Sequence, residues 1–434
     1  MGLSATYVDV DTFTVVGDKT ANFVVDRALQ CDCGVDGYKR TFVLSSSYSD
    51  PNTTVNLAAH SDNLSANLTS VEWSVVDPGV TGNIPADMVV GVIAKYYMHD
   101  QGWQPKSGDN SVIQSPNEVS LDIGGASYYL SSQIELDVDT AGDWDTTSPT
   151  DYTVAATRAG KDFYVYAVQP GSGTTPSFLL SANSTTPSGY DAGNSRKMGG
   201  FHCLCVGVGT IGGHELTGYA QGDILPASVW DLFFRPRSSP EGMVWSENAG
   251  IWVDIYLQSG TGESTASAYG GTITDTRAWM DHVDDFAAVK KQLLSDAEFQ
   301  IIAAGSNEET NINGSADPVT TGGHSDTGAQ RMLSNIGCED CAGAMWQWLL
   351  DQSWRSDGED LAAVQTWAWH DETGGKGELY LQGTTGDVKL LAGGDWAFGA
   401  YCGSRARLAD SSRWVAGASL GGRGRSEPRA SRFY

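Results

Sequence analysis

Cys338 and Cys341 stand two residues apart in GCEDCAG, a spacing at which two thiolates can chelate a soft metal ion or exchange a disulfide. A zinc site needs two further soft ligands at a suitable spacing, and none lies nearby in the sequence. The pair therefore reads as two small residues packed under a turn. His324 in TTGGHSDTG and His370 in WAWHDE are isolated and read as loop hydrogen-bond partners rather than ligands. In DVDTAGDWD, Gly142 falls at the sixth position counted from Asp137, as in a calcium loop. Ala141 and Ser148 then occupy positions where such a loop needs oxygen ligands, so a solvated turn is expected. No catalytic residue, metal or cofactor is expected.

The end of the chain poses a different question. In CGSRARLADSSRWVAGASLGGRGRSEP, arginine and glycine recur while the residues between them follow neither a period of two nor one of 3.6. The stretch reads as a regular frame with unpatterned side chains set in its gaps. Glycine supplies backbone shapes that a Cβ forbids, and arginine forks can tie carbonyls and carboxylates in place. Burial of Trp396 and Trp414 would anchor the segment.

The rest of the chain must position that segment. Of 434 residues, 40% are apolar and 18% charged, a globular composition, and 52 glycines favour turns and strands over helices. The net charge of −27 disfavours nucleic acid and anionic lipid as partners. No apolar run is long enough to span a bilayer. The start, MGLSATYVDVDT, lacks the basic and apolar regions of a secretory leader, and its match to the myristoylation pattern at Gly2 and Thr6 is read as accidental. Seven cysteines, an odd number, and no leader imply reduced thiols.

Three blocks are expected. Residues 1–85 read as an all-β module, with short runs such as TYVDVDTFTVV and turn clusters such as DCGVDG and DPGVTGN. Residues 86–197 read as a β-rich intermediate domain and linker, whose strands SYYLSSQIELDV and KDFYVYAVQP place apolar residues on one face. Residues 198–434 hold eleven of the fourteen tryptophans and so the large core, in an α+β domain rich in loops. Within it, Val283, Phe286, Leu293 and Leu294 fall at helical spacing. Ser295 and Glu298 form a capping box that starts a second helix, which Gly305 ends.

QLLSDAEFQIIAAGS (292–306), GCEDCAGAMWQWLLD (337–351) and LLAGGDWAFGAYCGSRARLADSSRW (390–414) resemble, in order and spacing, segments of the formylglycine-generating-enzyme class of C-type lectin-like domains. GFHCLCVGVGTIGGHELTGYAQGDILPASVWDL (200–232) and GGRGRSEP (421–428) resemble one branch of that fold, the variable proteins of diversity-generating retroelements, where phage tropism-determinant receptor-binding proteins belong. Residues 32–76 are similar to a small β module of phage structural proteins.

The resemblance implies a multidomain chain of all-β N-terminal modules followed by an α+β C-type lectin-like domain. It implies a phage tail receptor-binding protein with a diversified surface at Asp395, Ala397, Phe398, Tyr401, Leu408, Asp410, Ser411, Ser412, Val415, Gly417, Ser419 and Leu420. Trp396, Arg405, Arg407, Trp414, Arg423 and Arg425 would form the frame. The implied partners are a host cell-surface receptor, protein or glycan, and other tail proteins through the N-terminal region, with no nucleic acid. The implied assembly is a homotrimer joined mainly through residues 1–195, placed in the virion after assembly in the host cytoplasm. A cellular, surface-displayed variable lectin is an alternative. An oxidase of the formylglycine-generating type is disfavoured, because only Cys402 falls where that chemistry relies on two cysteines.

Overall fold

The computed structural model describes residues 3–25, 27–57, 63–73, 96–98, 102–115, 119–130, 132–171, 175–354, 367–370, 379–382 and 387–429. Contacts divide the chain into two compact units, Met1–Tyr97 with Ser120–Asp122, and Met98–Val119 with Ile123–Tyr434. The boundary expected after residue 85, the DPGVTGN turn and the side chain of His370 lie outside the described residues.

The first unit is built on one antiparallel sheet of seven strands, in the order Leu3–Ser4, Ser70–Trp73, Ala28–Asp32, Tyr38–Ser49, Asn52–Leu57, Thr12–Val16 and Thr6–Asp9. Ala5 alone joins the two edge strands, so the sheet must curl until its edges meet, as in a small barrel. Alternation supplies the interior. Phe13 and Val15, Leu29 and Cys31, and Val55 and Leu57 point inward from successive strands onto Phe23 and Val71.

In the second unit, one four-stranded sheet runs in the order Ser177–Ser181, Asp162–Val168, Ser195–His202 and Trp230–Asp231. Two sequence expectations change here. The strand Asp162–Val168 is buried on both faces: Phe163 meets Trp144 and Phe201 on one side, while Tyr164 and Tyr166 join Trp230 and Trp252 on the other. The division expected at 197/198 falls inside the strand Ser195–His202, which pairs with Asp162–Val168 on both sides of it, with a bulge at Met198.

The helical stretch also breaks earlier than its periodicity predicts. A helix spans Trp279–Ala288, and Lys290 with φ of 61° turns the chain out of it. Leu293 then lies in the short strand Gln292–Leu293 rather than on the helix. The second helix, Asp296–Ile302, starts at Ser295, whose N–H donates to Glu298 Oε2 at 2.7 Å and whose hydroxyl accepts from the Glu298 N–H.

Two sheets close the fold, and the glycine-arginine end of the chain stitches them together. Leu420–Gly421 pairs in parallel with Trp346–Trp354, which also pairs with Asp387–Gly393 and, through it, Gly403–Ser411. Gly424–Ser426 pairs with Ile251–Asp254 and with Gln292–Leu293, in the sheet that also contains Met243–Ser246. Gly422 and Arg423 carry the chain from one sheet to the other. No side chain fits at the glycines flanking Arg423. A Cβ on Gly422 would meet His282 Nδ1 at 2.9 Å, and one on Gly424 would meet Asp254 Oδ2 at 2.5 Å and Phe286 at 2.8 Å. The architecture of the described residues is mostly β, in several sheets with few helices.

Gly424→Ala is expected to destabilise by about 1–3 kcal/mol, the usual cost of overpacking a filled core. Gly142→Ala, whose Cβ would meet nothing within 4 Å, should leave the melting temperature unchanged. Thermal unfolding of both variants checks the pair, and equal melting temperatures would count against a packed crossover.

Candidate functional site

The strand Trp346–Trp354 is the floor of the C-terminal segment. Trp346, Trp348, Leu391 and Leu420 form an apolar cluster with Phe286 and Leu293, and Leu408 packs partly buried against it. Leu391 sits opposite Leu408 in the ladder, which sets the register of the strand Gly403–Ser411. Trp346 ties together the two stretches that hold the candidate contacts. Its backbone N–H donates to Ser419 O at 3.0 Å, and its ring takes the edge of Phe398 at 5.4 Å between centroids and 78° between planes.

The twelve candidate positions separate by burial. Ala397, Phe398, Tyr401 and Val415 are exposed, with Tyr401 at 80%. Leu408, Ser412, Gly417 and Ser419 are half-buried. Asp395, Ser411 and Leu420 are buried, which corrects the expectation that all twelve face solvent. Each has a structural reason. Asp395 bridges Ala344, accepts the Ala397 N–H at 2.8 Å and receives the Cys402 thiol on its carbonyl at 3.3 Å. Burial raises the Asp395 carboxyl above its ordinary value, against the pull of the Ala397 N–H and the Ser419 hydroxyl. Ser411 pairs with Lys389 in the ladder, and Leu420 pairs with Trp346. The side chain of Asp410 lies outside the described residues.

The frame positions separate as well. Trp396 packs against Ile312, Met332 and Ala344. Arg407 lies 5.1 Å from the Phe299 ring, forms an ion pair with Asp296, and donates to Ser404 O at 3.1 Å and Ala406 O at 2.7 Å. Arg425 pairs with Glu298 at 3.5 Å and with Glu427. Arg423 is 1% exposed and donates to Gln347 Oε1, Asp254 O, Ile255 O and Glu339 O. Arg405 is exposed. Trp414 departs from its expected role as a buried anchor. It is 72% exposed beside Val415, in a turn closed by the Val415 N–H to Ser412 O bond, and stays outside the apolar cluster.

The residues that first suggested chemistry are held in structural roles. Cys338 and Cys341 are buried, and the Cys341 thiol contacts Cys338 O at 3.6 Å. Between them, Glu339 forms a two-pronged pair with Arg331 at 2.6 and 2.8 Å, and Asp340 Oδ2 lies 2.9 Å from His324 Nδ1. Burial pushes the Cys402 thiol up to about 11, far from the thiolate that a nucleophile requires. Among the described residues, no group of three or more His, Cys, Asp or Glu side chains is placed to hold a metal ion.

Residues 120–231 match the family model described as the Mtd second domain. The tail fiber receptor-binding protein of Bordetella phage BPP-1 is 29% identical over 302 residues, which cover 63% of this chain and 71% of that protein. Among solved structures, the M1 variant of the major tropism determinant matches with a TM-score of 0.59 and 23% identity, over 78% of this chain and 86% of that one. The U1 variant matches with a TM-score of 0.58 and 23% identity, over 77% and 85%.

The His324–Asp340 pair gives the scaffold a pH signature. Burial works to lower the histidine's pKa, but the charge and hydrogen bond of Asp340 outweigh it, and the value ends above the ordinary 6.5. The stabilisation is therefore complete below about 6.5 and lost as pH rises through the raised value. Chemical denaturation from pH 6 to 9 should show that decline, and His324→Gln should flatten it. A decline of the same size in the variant would remove His324 as its source.

Proposed function

We propose that this chain is a phage tail receptor-binding protein, a tropism determinant that attaches to a host-surface ligand through its C-terminal segment. The observation that carries the reading is the exposure of Phe398, Tyr401, Trp414 and Val415 on a backbone whose frame residues are bound elsewhere. Large apolar side chains left in water while most others are buried suit a contact surface, and tyrosine and tryptophan bring much contact area for few rotatable bonds. Leu408, Ser412, Gly417 and Ser419 lie at its half-buried margin. Asp395, Ser411 and Leu420 shape the surface from below.

The region that follows the strand Ser195–His202 is read as the C-type lectin-like α+β domain of this class, with the two short helices as its helical part. The chain acts by binding rather than catalysis. It assembles as a homotrimer through residues 1–195 and the inner faces of the C-terminal domain, joins other tail proteins through its N-terminal region, and resides in the virion after assembly in the host cytoplasm. Three weak sites on one particle convert later contacts into intramolecular ones, which raises avidity by about 10²–10⁴.

Two measurements test this. Replacing Phe398 and Tyr401 together by Ala, or Trp414 by Ala, should cost about 2 kcal/mol or more of binding per lost anchor. Adsorption of particles to permissive cells should collapse while the melting temperature stays within a few degrees. Undiminished adsorption would sink the surface assignment. Sedimentation of the purified chain should give a trimer, and a monomer at micromolar concentration would remove the avidity argument.

A further inference from the structure

Six non-glycine residues among those described hold the left-handed backbone that L-residues avoid, and two of them donate to the C-terminal segment. Glu309 has φ of 56° and Thr276 has φ of 53°. A non-glycine residue in the left-handed region is uncommon, and a β-branched one is an outlier. Such conformations persist only where the surroundings over-determine them. Each of these two residues aims its backbone N–H at a carbonyl of the candidate surface. Glu309 donates to Cys402 O at 2.9 Å, and Thr276 donates to Gly417 O at 3.1 Å.

The neighbours of Glu309 reinforce the contact. Glu308 accepts the Ser404 hydroxyl at 2.6 Å and the Ser404 N–H at 3.3 Å, and the Asn311 side chain donates to Trp396 O. The approach is so close that a Cβ on Gly403 would lie 2.2 Å from Glu308 Oε2. The acceptors Trp396 O and Cys402 O bracket the turn that displays Ala397, Phe398 and Tyr401. Gly417 O also accepts the Leu420 N–H at 3.1 Å, and so fixes the stretch between Val415 and Ser419.

We propose that Thr276, Glu308, Glu309 and Asn311 are positioning residues of the recognition surface: a template that holds its shape through carbonyls and one serine of the frame, whatever side chains the exposed positions carry. This rests on the reading of that segment as the contact surface. The main-chain acceptors are present at every residue type, so exchange of Phe398, Tyr401 or Val415 leaves the template bonds intact. Glycine at 276 or 309 would adopt the same φ without strain. The residues present restrict the backbone instead, and so reduce the freedom lost when a partner binds.

Residue-resolved amide hydrogen exchange on the full chain tests the template without any receptor. In the unmodified protein, the Thr276 and Glu309 amides should exchange at least about a hundredfold slower than exposed loop amides. Unprotected exchange at both would overturn the proposal. In Glu308→Ala, exchange at the Tyr401 and Cys402 amides should rise about tenfold, while the strand Asp162–Val168 and the melting temperature stay unchanged. Glu308→Gln should restore protection, because its amide oxygen still accepts the Ser404 hydroxyl. No change at Tyr401 and Cys402 in Glu308→Ala, or an equal rise in the distant strand, would overturn the positioning role. A surface that recognises nothing would leave these exchange results intact and fail only in adsorption, so the two failures are separable.

Discussion

The guanidinium of Arg423 holds the C-terminal half together. Its Nε donates to Gln347 Oε1 at 3.0 Å, and its Nη1 donates to Asp254 O at 2.8 Å and Ile255 O at 2.7 Å. Nη2 donates to Glu339 O. These acceptors belong to two stretches of chain far apart in sequence, Asp254–Ile255 and Glu339–Gln347, and one planar fork reaches both. A lysine would place one compact charge there and lose most of these bonds. Burying the cation is costly, but charge-assisted bonds in a low-dielectric interior offset that cost when they are this complete. Other buried charges nearby are paired as directly: Lys291 with Asp254 at 2.5 Å, and Arg331 with Glu339 at 2.6 Å. The strand end that carries Arg423 therefore serves as the keystone of two sheets.

That arrangement explains how a surface can be free of structural duty. The segment from 395 to 420 is fastened from below by the tryptophan floor and from the sides by Asp296, Glu308 and Asn311. Nearly all of these fastenings act on main-chain atoms or on residues of the frame. Phe398, Tyr401, Trp414 and Val415 receive the benefit without contributing much to it. Phe398 is the partial exception, since it leaves 39% of its surface in water and rests on Trp346. A side chain there covers Trp346 as well as facing water, whereas Tyr401 is 80% exposed.

Local signals in the sequence carried far in this chain, and long-range ones did not. The strand Thr12–Val16 was visible in the run TYVDVDTFTVV, where Phe13 and Val15 alternate with Thr12 and Thr14. The Ser295–Glu298 capping box was visible because its bonds span three residues. The arginine-glycine frame was visible as composition, but the separate fates of its members were not. Arg423 is a buried keystone and Arg405 is exposed, and nothing near either residue says so, because the partners of Arg423 lie up to 169 residues away. Trp414 misled for the opposite reason. Tryptophan is usually mostly buried, and only tertiary placement shows that this one is outside the cluster. Thr276, Glu308 and Asn311 gave no signal at all, since their role depends on backbone geometry and on contacts with a distant segment.

The charge balance fits this division of labour. The chain carries 53 acidic and 26 basic residues, and several of the basic ones are spent inside: Arg158, Lys291, Arg331 and Arg423 are each at most 5% exposed. Two of those four, Lys291 and Arg331, bury an acidic partner with them, but Arg423 satisfies its charge on carbonyls and an amide. The solvent-facing surface is therefore left strongly acidic. An acidic surface keeps protein chains apart in solution and resists indiscriminate adhesion, which matters for a molecule that displays tyrosine and tryptophan to water. The same repulsion is screened beyond roughly 8–10 Å at physiological ionic strength. Apolar contacts act only at the last few ångströms, after the general field has faded. Binding can then depend on the shape and chemistry of a few exposed side chains, and those are the side chains on which the fold depends least.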